Sequence, residues 1–200
     1  AIFLAVVFGI PLGVISATKQ YSFFDSGSMF VALVGVSMPN FWLGIMLILL
    51  FAANLGWLPA SGDKGFLALI LPAVTLSANS LATITRMTRS SMLEVMRQDY
   101  VTTARAKGVS KKDVTFRHQL RNSMIPIVTT MGMRLGSMVG STVLIESLFV
   151  IPGLGSVMMN GISNRDFMLV ANGVLIISIF VAICNLVVDI LYGIIDPRTR

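Results

Sequence analysis

Few residues of this chain could do covalent or metal chemistry, and they lie far apart. The single histidine, His118, has basic neighbours and no cysteine or carboxylate cluster beside it, which argues against metal binding. The single cysteine, Cys184, lies in an apolar run and excludes an internal disulfide framework. No serine has a histidine placed to activate it, and no glycine-rich loop ends in Lys-Ser or Lys-Thr to hold nucleotide phosphates. We therefore expect no catalytic residue, no metal ligand and no cofactor on this chain.

Polar side chains inside apolar segments are the remaining candidates for function. Such groups are costly in lipid, so they should face other helices or a wet cavity. Thr75, Asn79 and Thr83 form a polar face on one apolar segment, and we predict that they line a translocation path together with Asn40 and Glu146. The alternative, that these groups only satisfy one another between helices, stays open.

Two charged residues share a single apolar segment. Arg134 and Glu146 are twelve positions apart, roughly 18 Å along a helix. We expect that they do not pair with each other and that each has its own partner.

The composition predicts an all-α, multi-pass transmembrane helical bundle. The chain is 55% hydrophobic and 12% charged, against roughly a quarter charged in soluble proteins. Three intervals hold no charged residue, and each exceeds the ~20 residues that cross a bilayer: 26–62, 65–85 and 167–188. We predict five spans, at about 1–17, 29–53, 66–88, 125–149 and 167–191. The chain opens within apolar sequence, so we also expect that it lacks the natural N-terminal part.

Proline and glycine give two expectations about the spans. Pro39 should kink the second span and free a carbonyl that Asn40 could satisfy. Gly132, Gly136 and Gly140 repeat at every fourth position of the fourth span, a small-residue pattern that lets another helix approach closely. A ring of these glycines around a lumen is the alternative interpretation.

The longest polar segment, 94–121, predicts a short helical hairpin between two spans. It carries ten charged residues, of which seven are basic. Apolar residues at helical spacing, Tyr100, Val101 and Ala104 among them, end at Gly108, a suitable left-handed cap. Ser110, followed by Asp113, is typical of a capping box that opens a second helix through about residue 120. A basic hairpin in this position favours docking onto a partner.

The basic residues are distributed unevenly between the two ends of the predicted spans. If Lys19 is cytoplasmic, twelve Lys and Arg residues face inward and only Lys64 and Arg165 face outward. The inward set is Lys19, Arg86, Arg89, Arg97, Arg105, Lys107, Lys111, Lys112, Arg117, Arg121, Arg198 and Arg200. The hairpin and the C-terminus are therefore predicted to be cytoplasmic.

The hairpin sequence resembles the cytoplasmic loop of binding-protein-dependent ABC importer permeases, and more narrowly their peptide and nickel branch. Ala104, Gly108 and Leu120 match the general loop pattern, whereas Thr102 and Thr103 replace its Glu-Ala, His118 replaces an Ile, and Arg121 stands where Pro is usual. These departures are similar to the peptide-branch version of the loop. Further segments resemble that branch along essentially the whole chain: 38–44, 55–59, 146–149, 152–155, and Asp189 with 196–198.

The resemblance implies a type I importer permease, with 1–200 as an N-terminally truncated transmembrane domain and 94–121 as its coupling hairpin. It implies a bacterial inner-membrane complex with a second homologous permease, two ATP-binding subunits that hold ATP and Mg, and an extracytoplasmic substrate-binding protein. The cargo would be small peptides (dipeptides or oligopeptides) or nickel. The ATPase-coupling residues would be Tyr100, Val101, Ala104, Arg105, Lys107, Gly108, Lys111 and Lys112.

Three alternatives to this interpretation are open from the sequence. A self-contained channel or ion-coupled carrier would need several intramembrane carboxylates, whereas the sequence offers Glu146 and Asp189. A DNA-binding helix-turn-helix would need the hairpin on a soluble domain, so we expect no nucleic acid partner. For the hairpin alone, binding of lipid phosphates in the bilayer is a further role, compatible with docking.

Overall fold

A computed structural model describes residues 1–61 and 65–195. The predicted positions of Lys64, of the side chain of Asp189 and of the tail 196–200 lie outside the described residues. The described ranges contain helices and no strand, which confirms the all-α prediction. The helices are α1 Ile2–Thr18, α2 Phe23–Ser37, α3 Asn40–Leu47, α4 Ile70–Met96, α5 Asp99–Ala106, α6 Lys111–Asp113, α7 Arg121–Leu148, α8 Leu154–Ser163 and α9 Phe167–Ile195.

Three shorter helical pieces extend these elements. A π-helical segment, Ile48–Asn54, continues α3, and a second, Val114–Leu120, joins α6 to α7 without a break. A 3₁₀ turn, Phe66–Leu69, leads into α4. The second arm of the hairpin and the fourth predicted span therefore form one helical rod from Lys111 to Leu148, roughly 55 Å long.

Helix α4 is the centre of the bundle and packs against α1, α2, α3 and α7. Two apolar clusters lie near its opposite ends. Leu71 meets Ile145 and Phe149 at the end where α7 finishes. Met92 meets α1 at the end where the chain enters the hairpin. Because α4 has neighbours on several sides, its polar residues lie between helices rather than against lipid.

Small residues bring α1 very close to α4. Ala5, Gly9, Gly13 and Ala17 recur at every fourth position, and all four are buried. A Cβ built on Gly13 would lie 2.5 Å from the Thr88 Cβ, closer than real side chains approach. This stripe of small residues lets the backbones of α1 and α4 approach closely.

The second predicted span is broken rather than kinked. Helices α2 and α3 are bent by 105° at Met38 and Pro39. Proline has no N–H to donate to the preceding turn of a helix. It also favours extended geometry at the residue before it, and Met38 has φ −84° and ψ 128°. The structure replaces the expected kinked helix 29–53 by two separate helices.

The glycines of α7 meet α9 at two of the three predicted positions. A Cβ on Gly132 would overlap Val188, and one on Gly136 would lie 3.0 Å from the Asn185 Oδ1. A Cβ on Gly140 meets nothing within 4 Å among the described residues, so this glycine is not required by a helix contact there.

Fewer helices are long and apolar enough to cross a membrane than the five spans predicted from the sequence. The stretches Phe66–Met96 and Phe167–Val188 are long and apolar enough to cross a membrane, and the bent pair α2–α3 adds a third candidate. Helix α1 is shorter, at 17 residues. In α9, only 6% of the most apolar 18-residue stretch within Phe167–Val188 is buried. Such exposure of apolar side chains is typical of a surface that faces lipid or another subunit.

We predict that Gly13→Ala destabilises the bundle by about 1–3 kcal/mol, because the new methyl group overlaps Thr88 and the backbone oxygen of Thr85, 2.7 Å away. Gly27→Ala in α2 is the matched control, since its Cβ meets nothing within 4 Å among the described residues. Thermal unfolding of the purified protein in detergent measures both. Equal midpoints for the two variants would show that α1 and α4 are not in tight contact.

Candidate coupling surface and translocation pathway

The turn at the tip of the hairpin is built by local backbone hydrogen bonds. Helix α5 ends in a turn where Gly108 has φ +77°, the left-handed region that glycine adopts without strain. The Gly108 N–H donates to the carbonyl of Arg105 at 3.0 Å, and the Val109 N–H donates to that of Ala104 at 3.2 Å. Ser110 then caps α6 by accepting from the Asp113 N–H at 3.1 Å, as the sequence predicted.

The first arm of the hairpin is two helices instead of one. Helix α4 ends at Met96, and Gln98, with φ −77° and ψ 147°, breaks the helical path before α5 begins at Asp99. An acidic residue in the first turn of a helix is favourable, so Asp99 stabilises a fresh start at this point. The apolar spacing continues across this point, so the sequence predicted one helix where the structure has two.

The apolar stripe of α5 splits into a buried part and an exposed part. Val101 and Ala104 are buried against Val114 of the second arm, so they hold the hairpin together and present no surface to a partner. Tyr100 is 42% exposed and stays available for contact. Of the predicted apolar docking residues, only Tyr100 lies on the outside.

The predicted basic docking residues are all exposed: Arg105, Lys107, Lys111 and Lys112. Gly108 lies among them, and a Cβ built on it meets nothing within 4 Å among the described residues. Arg105 and Lys111 also line a cavity of about 590 Å³ between the hairpin and the end of α1, beside Thr18. The exposed surface around Gly108 therefore combines positive charge with free space for another molecule.

The hairpin is fixed firmly to the bundle at its base. Leu120 packs against the buried cluster of Val14, Ala17 and Met92. The Ser91 hydroxyl donates to the Ser123 carbonyl at 3.1 Å, which ties α4 to the beginning of α7. These contacts join the base of the hairpin to both α4 and α7.

A buried ion pair that the sequence did not reveal holds three helices together near this base. The Arg89 guanidinium donates to both carboxylate oxygens of Asp25, through Nε at 2.6 Å and Nη2 at 2.7 Å. The Ser16 hydroxyl and the Tyr21 N–H also donate to this carboxylate. The Asp25 side chain is only 4% exposed, so α1, α2 and α4 meet at one charge-assisted contact.

Two of the polar side chains predicted to line the path form hydrogen bonds within their own helix. Thr75 is fully buried and its hydroxyl donates to the Leu71 carbonyl at 2.8 Å, so it does not face an open path. Thr83 donates to the Asn79 carbonyl at 2.9 Å and is half-buried, as is Asn40. Back-bonding to the preceding turn satisfies these threonine hydroxyls without any partner from outside.

Asn79 differs from its neighbours because its amide joins two other helices. Its Oδ1 accepts from Arg134 Nη1 on α7 at 3.2 Å, and its Nδ2 reaches the Val36 carbonyl on α2 at 3.5 Å. That carbonyl lies in the last turn of α2, where the helix breaks. The Val36 carbonyl, left without a helical partner by the break at Pro39, is therefore contacted by Asn79 and not by Asn40 as expected.

Glu146 supports the turn between α7 and α8. Its Oε2 accepts from the Gly155 N–H at 2.7 Å, at the beginning of α8, where a carboxylate is favoured by the helix dipole. A Cβ on Gly153 or Gly155 would press against this carboxylate, which explains both glycines. Glu146 also lines a cavity of about 520 Å³ with Ser147 and Ser156. Arg134 and Glu146 have separate partners, as their spacing predicted.

Comparison with known proteins identifies the chain's family. Residues 9–200 match the family described as the inner membrane component of binding-protein-dependent transport systems. The chain belongs to this family. It is a permease of the inner membrane, as the hairpin sequence indicated.

Three curated relatives show how far the similarity extends. The di/tripeptide transport system permease protein DppB of Pseudomonas aeruginosa (strain UCBPP-PA14) is 45% identical, over 100% of this chain and 68% of that protein. The oligopeptide transport system permease protein AppB of Bacillus subtilis (strain 168) is 40% identical, over 98% and 65%. The dipeptide transport system permease protein DppB of Escherichia coli (strain K12) is 39% identical, over 100% and 68%. The permease chain described here spans about two thirds of the length of these relatives.

A solved structure supports the fold independently. The MetNI methionine ABC transporter, in an inward-facing conformation, aligns with a TM-score of 0.77 over 98% of this chain and 89% of that one. The two sequences are 17% identical, so the likeness concerns the fold alone. The permease thus has the helical fold of an ABC importer membrane subunit.

We predict that Asp25→Asn lowers the free energy of unfolding of the permease by about 2–4 kcal/mol, because it leaves the Arg89 charge half-buried and unpaired. Asp113→Asn is the control, since its pair with Arg117 is 3.7 Å long and exposed, and losing it should cost no more than about 0.5 kcal/mol. Denaturation in detergent compares the two variants. If Asp25→Asn/Arg89→Gln were destabilised by the full sum of its single variants, the two residues would not be energetically coupled.

Proposed function

We propose that this chain is the membrane-spanning permease subunit of an ABC importer that moves dipeptides or oligopeptides across the bacterial cytoplasmic membrane. The observation that carries the proposal is the exposed basic turn around Gly108, which is rigidly joined to the bundle and has free space around it. The names of the three relatives support peptide cargo, and none of the three is named for nickel.

The proposed complex contains a second homologous permease, two ATP-binding subunits and an extracytoplasmic substrate-binding protein. ATP and Mg are held by the ATP-binding subunits, because this chain has no nucleotide-binding loop. The hairpin and the C-terminus lie in the cytoplasm, where the ATP-binding subunits are, since most Lys and Arg residues belong to that side.

Force reaches the membrane through the hairpin in this proposal. An ATP-binding subunit receives the tip in a groove, with Tyr100 as the apolar contact and Arg105, Lys107 and Lys112 meeting acidic residues at the rim. Closure of the ATP-binding subunits then displaces the tip, and the rod from Lys111 to Leu148 carries the displacement into the membrane as a rigid body.

Site-specific crosslinking tests the docking partner. In a Cys184→Ser background, which removes the single cysteine, Lys107→Cys should crosslink to an ATP-binding subunit in the assembled complex. Gly56→Cys, at the distant turn after α3, should give no such product. Crosslinks from position 107 to lipid alone, or isolation of a transport-competent complex without any ATPase, would favour a lipid-binding hairpin or a self-contained carrier instead.

We predict that Gly108→Leu leaves the permease inserted and assembled but lowers ATP-driven peptide uptake at least about tenfold, because a bulky side chain blocks the docking groove. Gly56→Leu is a matched control: Gly56 has φ +64°, and its Cβ also meets nothing within 4 Å among the described residues. Both variants bear the same left-handed strain of about 1–2 kcal/mol. Uptake and ATP hydrolysis in proteoliposomes measure the outcome, and an equal loss in both variants would assign the defect to strain rather than docking.

A further inference from the structure

Arg134 is a permanent positive charge near the middle of α7, the helix that contains the fourth span predicted from the sequence. It lies thirteen residues after the first residue of α7 and fourteen before the last, roughly 20 Å from either end. The guanidinium keeps its charge under all physiological conditions. An ionisable residue at this depth requires a negative or strongly polar partner, and in membrane proteins it usually belongs to a functional site.

The partner that the chain itself supplies is neutral. Arg134 Nη1 donates to Asn79 Oδ1, and no carboxylate lies within 4.0 Å of the guanidinium in the part of the chain that the structure describes. Glu146 is occupied at the beginning of α8, and Asp25 is occupied by Arg89. The Arg134 charge is therefore held in place but not neutralised by the described residues.

Asn79 fixes the direction of the guanidinium. The Asn79 amide has only one orientation that satisfies both neighbours, because the Val36 carbonyl needs a donor and Arg134 needs an acceptor. This contact uses one N–H of the guanidinium, and the other donors have no hydrogen-bond partner among the described residues. The charged group is thus held at the junction of α4, α7 and the break between α2 and α3.

The surface of α7 beside Arg134 carries both apolar and hydroxyl groups. Met133 is 64% exposed. Ser137 and Ser141 follow Arg134 at helical spacing, and Ser137 is exposed whereas Ser141 is half-buried. The hydroxyls of the two serines donate to carbonyls of the preceding turn. The exposed face of α9 consists mostly of large apolar side chains. Arg134 itself is half-buried.

We propose that Arg134 binds the C-terminal carboxylate of the peptide in transit, with Asn79 as the residue that positions it. The inference rests on the proposed peptide cargo and names the group of the cargo that the membrane path recognises. Every unmodified peptide has this carboxylate whatever its side chains are, so a site that reads it accepts many sequences. Guanidinium and carboxylate form two parallel charge-assisted hydrogen bonds, for which the donors not used by Asn79 suffice.

The first experiment uses the complete complex in proteoliposomes, with its substrate-binding protein saturated by a dipeptide or by the same dipeptide with an amidated C-terminus. Arg134→Gln should lower uptake of the free acid about 10- to 100-fold, the usual range for losing a hydrogen-bonded charge pair. It should leave the slower uptake of the amide unchanged, and Arg134→Lys should recover part of the loss. Arg165→Gln removes a charge from the exposed loop before α9 and should change neither rate.

Other results of this experiment overturn the proposal. An equal loss for acid and amide would show that Arg134 is structural. Dissociation of the second permease from Arg134→Gln in size-exclusion chromatography would place the missing carboxylate on that subunit. Undiminished uptake of the free acid by Arg134→Gln would remove any role in recognition. Absence of peptide uptake by the unaltered complex is a different result, because it contradicts the proposed function itself.

A second experiment does not depend on how the binding protein treats an amidated peptide. Ser137→Cys, in the Cys184→Ser background, is exposed to dipeptides whose only cysteine is at the C-terminus or at the N-terminus, each activated as a mixed disulfide. The thiolate at position 137 attacks the peptide sulfur, and the activating thiol leaves. The C-terminal cysteine should react faster during ATP turnover, and Arg134→Gln should abolish the difference. Equal labelling by both peptides with Arg134 in place would contradict carboxylate binding at this position.

Discussion

The two-point contact between Arg89 and Asp25 is the constraint on which the hairpin end of the bundle depends. Isolated apolar helices slide and rotate against one another easily, because their packing has little direction, whereas a bidentate ion pair with further hydrogen bonds fixes both distance and rotation. The contact sits seven residues before the end of α4, where the chain turns into the hairpin. Any rotation of α4 by the hairpin must therefore carry α1 and α2 with it.

A second constraint operates at the middle of the bundle, where the backbone itself is interrupted. The break between α2 and α3 frees carbonyl groups in a region with little water, and each needs a donor. Asn79 supplies one to Val36 from α4 and, with the other end of the same amide, holds Arg134. The Asn79 side chain thus links the end of α2 to Arg134. A movement of α4 relative to α7 would therefore change the surroundings of the Arg134 charge.

The sequence predicted the features that are encoded locally and missed those that join distant residues. Apolar periodicity, Gly108 and the Ser110 cap were enough to predict helices and the hairpin turn, because each depends on residues within one or two turns. Nothing local in the sequence connects Asp25 with Arg89, which lies 64 positions away. The path residues were harder still, since a polar face has the same pattern whether its hydroxyls bond to their own helix, as Thr75 does, or face an opening.

The two arms of the hairpin differ in a way that decides what each can transmit. The first arm is interrupted at Gln98, so a push on α5 bends that corner before it reaches α4. The second arm has no such corner, because α6, its π-helical continuation and α7 share one helical path. A helix resists compression along its axis far better than a corner resists bending. In the proposed mechanism the second arm is therefore the main route for force. It passes Arg134 before ending beside Glu146, at the turn that positions α8. One continuous helical path thus connects the turn at Gly108 with both charged groups of α7, so under the proposed docking a movement of that turn can alter the position of Arg134.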